Sequence, residues 1–429
     1  AWLFVAFGFL MLVLSLNNLS NKRSDLQGGI FAYAGEGFGP LGEFISGWSY
    51  WLSAWLGNIA FATMLMSSIG TFIPTFKGGQ NVPSIIVAII FCWLLTILVN
   101  NGVESATFVN MIGTICKIVP LIIFIIIMFV CFKGGMFTAD FWGKVASNAT
   151  KGTTTGSVWT QMKGTLMTLI WVFIGIEGAS VMAHRAKSRS EAEQASVISF
   201  ILLVIIYVLI SILPYGALTR AQLAGMGQPA LGHVLEMTVG HWGAVLINVG
   251  LIISTIVSWL SWTMLPAETT MLVADDKAMP KAWGKVNSKN APTTSLMITG
   301  VLQTIFLFSL LFTEKAYEFA YSLCAAAILF SYLFVGLYQM KLSSERKEWG
   351  QYTVGLLSAL FMFACMFLAG WQEVLLVTIS FIPGFCVYYA GCKENNHKFS
   401  KAELWTMGLI LVLSVIAIVL VFNGTITIS

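Results

Sequence analysis

Two ionisable residues lie where the sequence offers almost no other polarity: Glu177 in LIWVFIGIEGASVMA and Lys117 in GTICKIVPLIIF. In such runs a carboxyl can take up and release a proton, and an ammonium can stand as a fixed positive charge. Inside a bilayer both are costly, and by default they mark a substrate or ion pathway. Gly175 and Gly178 flank Glu177. Glycine lowers helix propensity, so IGIEG predicts a break in a helix. Broken spans bind substrate at the membrane midplane through exposed amides and carbonyls. A structural ion pair or a glycine packing notch is the competing account. Lys117 lies about eight residues, roughly 12 Å along a helix, from the polar start of its run, a depth that its stem spans only partly.

These residues need spans to position them, and the composition supplies spans. Of 429 residues, 57% are hydrophobic and 10% charged, with a mean hydropathy of +0.84. A soluble domain carries about 25% charge, so a soluble enzyme, a secreted disulfide scaffold and a disordered chain are excluded. The net charge of +4 is small, and no basic face for nucleic acid is evident. A membrane-crossing helix needs about 20 mostly apolar residues. Twelve such runs are present: Ala1–Leu16, Leu41–Pro74, Pro83–Val99, Phe108–Phe132, Met162–Met182, Ala195–Leu218, Trp242–Val273, Thr293–Phe312, Tyr317–Met340, Gly350–Ala369, Val374–Gly391 and Leu404–Phe422. Strand-like alternation, the mark of a β-barrel, is missing from them. The longest break, Lys133–Lys163, reads as a Gly/Thr/Ser-rich loop. The seven cysteines lie nearly all in apolar runs, where thiols pack as small hydrophobes, and none has metal-ligand spacing. The expected fold is an all-α polytopic membrane protein forming one transmembrane domain, with no cofactor and no metal.

Lys and Arg favour cytoplasmic breaks. Sorting the breaks alternately places 15 of the 23 basic residues in the odd breaks and 7 in the even ones, with Lys117 the remainder. The odd breaks are therefore inside, and both ends of this sequence fall outside. An outside start within an apolar run leads to the expectation that an initial helix precedes residue 1, that a native chain has thirteen spans, and that a groove lies beside Ile174–Glu177 where that helix would pack.

Four stretches then form a recognisable series. TLIWVFIGIEGASV resembles the sixth helix of the amino acid–polyamine–organocation transporters, W-x-F-x-G-x-E-[SG]-A. GWSYWLSAWLGNIAF resembles their third helix. SWTMLPAETTMLVADDKAMP resembles their eighth helix and the loop after it. SDLQGGIFAYAGEGFGPLGEF resembles the cytoplasmic segment between helices two and three, with Asp25 where Pro is often found. The matches run in order and cover nearly the whole chain. The nearest resemblance is to basic amino acid/polyamine antiporters of the arginine/ornithine type, through WLSAWLGN, IGIEGA, HRAKSRS and FAYSLCAAAI.

The resemblance implies the LeuT-like fold of five-plus-five inverted helices with extra C-terminal helices. Residues 1–132 would be the remainder of the first repeat, 162–340 the second, and 350–429 the extra helices; the family's broken first helix is not among the twelve runs. It also implies roles. Trp171 corresponds to a gating aromatic, Ile174 and Gly175 line the site at the break, and Glu177 is a proton-sensitive switch beside it. Tyr50, Asn58 and Phe61 match site-facing or gate positions on helix three, Trp262 a substrate-contacting aromatic, and Cys324 and Tyr332 the approach of helix ten. Tyr50 and Tyr332 would close a hydrogen-bonded gate with Glu177. Lys117 would take the place of sodium. For each aromatic, plain core packing is the alternative.

The implied function is sodium-independent exchange of arginine for ornithine in a plasma membrane, by alternating access and without covalent chemistry. Partners would be small amino acids and the lipid bilayer, with a homodimer compatible with the family. Histidine/histamine or lysine/cadaverine exchange is the alternative within the class, and a membrane receptor with a transporter-like core lies outside it. A membrane enzyme should cluster histidines or acids on one span, but His184, His233, His241 and His397 lie in or beside polar breaks.

Overall fold

A computed structural model describes residues 1–26, 29–102, 107–139, 141–142, 157–178, 189–312, 316–368 and 370–426. Most of HRAKSRS, with His184, and the middle of the 133–163 loop lie outside the described residues. Every described element is helical. The principal helices are α1 (Trp2–Lys22), α2 (Ile30–Ile69), α3 (Val82–Asn100), α4 (Thr107–Cys131), α5 (Val158–Trp171), α6 (Arg189–Ile212), α7 (Ala230–Val239), α8 (His241–Asp275), α9 (Thr293–Ser309), α10 (Ala316–Glu345), α11 (Trp349–Leu368), α12 (Trp371–Ile379), α13 (Phe381–Glu394) and α14 (Lys401–Phe422).

Ten helices among the described residues are long and apolar enough to cross a membrane, or eleven if the bent pair α12–α13 is one span. The twelve apolar runs differ from this at three places, each with a local cause. The run Val374–Gly391 is two helices that meet at an angle of 44°. The run Met162–Met182 is not a continuous helix: α5 ends at Trp171 after 14 residues, and a chain of turns follows. A third difference is at the start of α2, where the helix begins at Ile30 and kinks at Gly39, whose φ is +77°, just before Pro40. Pro removes an intrahelical hydrogen bond and clashes with the preceding turn, and glycine accepts the left-handed φ.

The layout follows from which faces are apolar and which are small. In α2, 83% of the most apolar window is buried. It packs against α8 and α10. Small residues permit this: Gly57 approaches Cys324 of α10, and Ala325, Ala326 and Ala327 of α10 are fully buried. Close backbone approach through small residues is how helices associate where lipid removes the hydrophobic drive. The outer helices show the opposite pattern. Ile90, Leu94 and Ile97 of α3, and Leu409, Val412, Ile416 and Val419 of α14, are exposed. Such wide apolar faces suit lipid, not water.

Candidate functional site

The site begins where α5 stops. Ser157 caps the helix by accepting from the Thr160 amide at 3.2 Å. Past Trp171 the α-helical ladder gives way to tight turns: the Ile174 amide donates to the Trp171 carbonyl at 3.2 Å, and the Gly178 amide to the Gly175 carbonyl at 3.1 Å. Gly175 has φ +106°, a region that side-chain-bearing residues rarely adopt. The predicted break is therefore present, and Gly175 is its pivot.

Glu177 holds the break in place. Its Oε1 accepts from the Tyr50 hydroxyl at 2.8 Å, and its Oε2 from the Tyr332 hydroxyl at 2.6 Å and the Gly175 amide at 3.0 Å. Three elements are thus joined at one carboxyl: the break, α2 and α10. All three side chains are buried. A carboxyl removed from water needs such donors, because an unmet oxygen there costs about 1–3 kcal/mol.

In front of this layer lies a cavity of about 470 Å³, within the range of small-molecule sites. Phe61, Lys117, Trp171, Ile174, Trp262 and Cys324 lie on its wall, with Tyr317, Ser53, Ser254 and Ser258. Trp171 sits in an aromatic group, its ring centroid 5.5 Å from Tyr321, 5.9 Å from Tyr317 and 6.3 Å from Phe61. Cys324 is pinned from α2: Ser53 Oγ donates to its carbonyl at 2.9 Å and lies 3.3 Å from its Sγ. Lys117 is exposed on the cavity side and donates to Ser258 Oγ of α8 at 3.2 Å.

The structure separates residues that the sequence reading had grouped. Asn58, Gly175 and Glu177 are not among the residues that line this cavity. Asn58 ties two helices instead, its Nδ2 donating to the Trp262 carbonyl at 3.1 Å. Gly175 backs Trp262 so closely that a Cβ there would lie 3.2 Å from Trp262 Cζ2. Tyr50 and Tyr332 both donate to Glu177.

Comparison with known proteins identifies the family. The sequence model of the amino acid permease family matches residues 1–392. The chain belongs to the amino acid permease family. It is 49% identical to the arginine/ornithine antiporter of Latilactobacillus sakei, over 100% of this chain and 90% of that protein. It is 42% identical to the arginine/ornithine antiporter ArcD1 of Lactococcus lactis subsp. cremoris, over 99% of this chain and 83% of the relative. With the arginine/agmatine antiporter of Chlamydia felis identity is 36%, over 98% and 88%. The permease is thus an all-α, multi-pass cell-membrane protein. Its relatives are transporters, and its ligands accordingly fall among small amino acids.

Two parts of the permease escaped sequence reasoning. Glu43, an acid within the second apolar run, is buried on α2; the rule that singled out Glu177 applied to it equally. A polar clasp at the end of α1 had no sequence signal. Arg23 pairs with Asp25 at 2.8 Å and Glu36 at 3.0 Å and bonds the Tyr338 hydroxyl, while Lys22 pairs with Glu348. The hydrogen bond to Asp25 raises the Arg23 pKa, and the same bond lowers that of Asp25. Asp25 and Glu36 are near Arg23 in the chain, but Tyr338 lies 315 positions from Arg23 and Glu348 lies 326 from Lys22, so only the fold brings these last two in.

Proposed function

We propose that this permease exchanges extracellular arginine for cytoplasmic ornithine, by alternating access and without sodium. The observation that carries the reading is the aromatic wall of the cavity in front of a fully hydrogen-bonded carboxyl at a helix break. Trp171 and Trp262 offer flat π faces to a guanidinium or ammonium, a contact worth up to about 2 kcal/mol when desolvated. Both substrates carry about one positive charge at neutral pH, since the guanidinium and ε-type ammonium stay protonated and the α groups cancel. A one-for-one swap then moves no net charge, and the substrate gradients drive it. Full-length identity to arginine/ornithine antiporters supports the pair.

Lys117 supplies a fixed cation at the cavity, held by Ser258, in place of a bound sodium ion. Glu177 acts as a proton-sensitive switch: it ties the break to α2 and α10, and a change in its protonation changes which hydroxyls it can accept from. Alternating access then amounts to making and breaking the Tyr50–Glu177–Tyr332 bridge as α5 and the break move against α2 and α10.

Counterflow tests the pair. Proteoliposomes loaded with ornithine should accumulate labelled arginine far faster than labelled histidine, and arginine uptake should stop when ornithine is omitted from the lumen. Equal uptake into empty vesicles would refute exchange, and preference for histidine would refute the substrate.

A further inference from the structure

Glu43, Ser46, Tyr50, Ser53 and Gly57 fall at i, i+3, i+7, i+10 and i+14 of α2, which places them on one stripe of a 3.6-residue helix. The stripe is sealed from solvent: Glu43 is 7% exposed, Tyr50 4%, and Ser46 and Ser53 0%. Its upper part is the site already described, with Ser53 on Cys324 and Tyr50 on Glu177. Its lower part has no role in that site. Glu43 there faces the carboxyl of Asp276, the exposed residue that ends α8 on the cytoplasmic side. The fold makes room for the Glu43 carboxyl by placing Gly35 against it: a Cβ at Gly35 would lie 2.8 Å from Glu43 Oε2.

The buried polar atoms between the two ends are unmet. Glu43 Oε1 and Ser46 Oγ have no hydrogen-bond partner among the described residues, and neither has Ser49 Oγ beside the stripe. Native interiors rarely leave such atoms unpaired, and a cluster of them needs a reason. Nor does Glu43 form an ion pair among the described residues. On α2 and the helices packed against it, Glu36 is held by Arg23, Lys341 of α10 is bonded to the Gly37 carbonyl at 2.8 Å, Tyr338 is bonded to Arg23, and Tyr388 of α13 is bonded to Glu403 at 2.9 Å. Around Glu177 the ionisable neighbours are Tyr50, Tyr332 and Cys324, with Glu268 of α8 acting on Tyr50. Two facing carboxyls, then a buried hydroxyl, then a tyrosine on a third carboxyl, form a series of groups that can each hold or pass a proton.

We propose that this stripe of α2 is the proton route between the cytoplasm and Glu177, with Glu43 as its carrier. The inference rests on the reading of Glu177 as a proton-sensitive switch. A cytoplasmic proton adds to the Asp276 carboxylate and passes to Glu43, one proton satisfying both facing oxygens. Glu43 then donates to Ser46 Oγ as the Ser46 hydroxyl gives its own proton on towards Tyr50. The Tyr50 hydroxyl accepts that proton and releases its original one to Glu177 Oε1. Each hydroxyl ends as it began, Glu177 gains one proton, the cytoplasm loses one, and no redox partner is involved. Glu43 and Ser46, and Ser46 and Tyr50, lie about 5–6 Å apart at Cβ, so each transfer requires a side-chain rotation or a water bridging the two groups. The switch is thereby set by cytoplasmic and not extracellular pH.

The test uses uniformly oriented proteoliposomes in which luminal and external pH are stepped independently while ornithine-driven arginine uptake is followed. Uptake by the wild type should respond to pH on the cytoplasmic face alone. Glu43→Gln and Ser46→Ala should slow that response about tenfold or more while leaving the arginine KM unchanged, and Glu43→Asp, which keeps a carboxyl, should restore it. A purely structural role for Glu43 would not distinguish Gln from Asp in the pH response. A response to external pH alone would overturn the route, as would wild-type responses in both Glu43→Gln and Ser46→Ala. Glu177→Gln separates the two readings. If it abolishes the pH response and Glu43→Gln does not, the route alone fails. If the response survives Glu177→Gln, the switch itself fails.

Discussion

Tyr332 donates its hydroxyl to Glu177 Oε2 at 2.6 Å, joining residues 155 positions apart. That bond, with its counterpart from Tyr50, is what turns a weak stretch of helix into a fixed break. Removing the tyrosine hydroxyl takes the shorter of two donors from a buried carboxyl oxygen and leaves it the Gly175 amide. Tyr332→Phe should therefore cost about 1–3 kcal/mol of stability, read from denaturant unfolding in detergent, and should alter the exchange rate. Unchanged stability together with unchanged exchange would show that the bridge carries neither load.

Gly175 and Gly178 flank the same carboxyl but differ in what they tolerate. Gly175 has φ +106° and Trp262 in front of it, whereas a Cβ at Gly178 meets nothing within 4 Å. Gly175→Ala should cost about 1–3 kcal/mol in backbone strain and sharply reduce exchange. Gly178→Ala should be far milder on both readouts. Comparable losses in the two variants would remove Gly175 as the pivot.

Sodium independence follows from the Lys117 assignment. Arginine uptake should be unchanged when external sodium is replaced by choline. Lys117→Ala should reduce exchange at least about tenfold, a loss of roughly 1.4 kcal/mol of transition-state stabilisation. Ser258→Ala, which removes only the partner at 3.2 Å, should be milder. Collapse of wild-type uptake in choline would end the assignment.

The Arg23 clasp gives a pH signature outside the apolar spans. Arg23 holds the Asp25 carboxyl below its ordinary pKa, which is about 3.9 in the unfolded chain. The stabilisation is thus complete above that value and is lost as pH falls through it towards the lower folded value. Asp25 is largely exposed, with 62% of its side chain accessible, so the effect is small and salt-screened. The stability difference between wild type and Asp25→Asn should stay level from pH 8 to about 5 and shrink below about 4. A difference that persists undiminished at pH 3 would contradict the ion pair.

The number of spans was not legible in the linear chain, since Met162–Met182 and Val374–Gly391 are broken, whereas the membrane class, the order of the apolar runs and the break at IGIEG were. These depend on local properties: twenty apolar residues suit a bilayer whatever their neighbours, and two glycines weaken a helix wherever it packs. The motif positions also pointed to Trp171, Glu177, Tyr50 and Tyr332. What the linear chain could not assign was the side of the site on which each residue falls. That Trp171, Trp262 and Lys117 line the cavity while Glu177 is bonded to Tyr50 and Tyr332 depends on how α2, α8 and α10 are rotated against the break. That Arg23 meets Tyr338, or Glu43 meets Asp276, depends on helices that lie far apart in sequence. Spacing within a helix is written in the residues themselves. Facing between helices is set by which small side chains let two backbones close, and only the packed structure decides that.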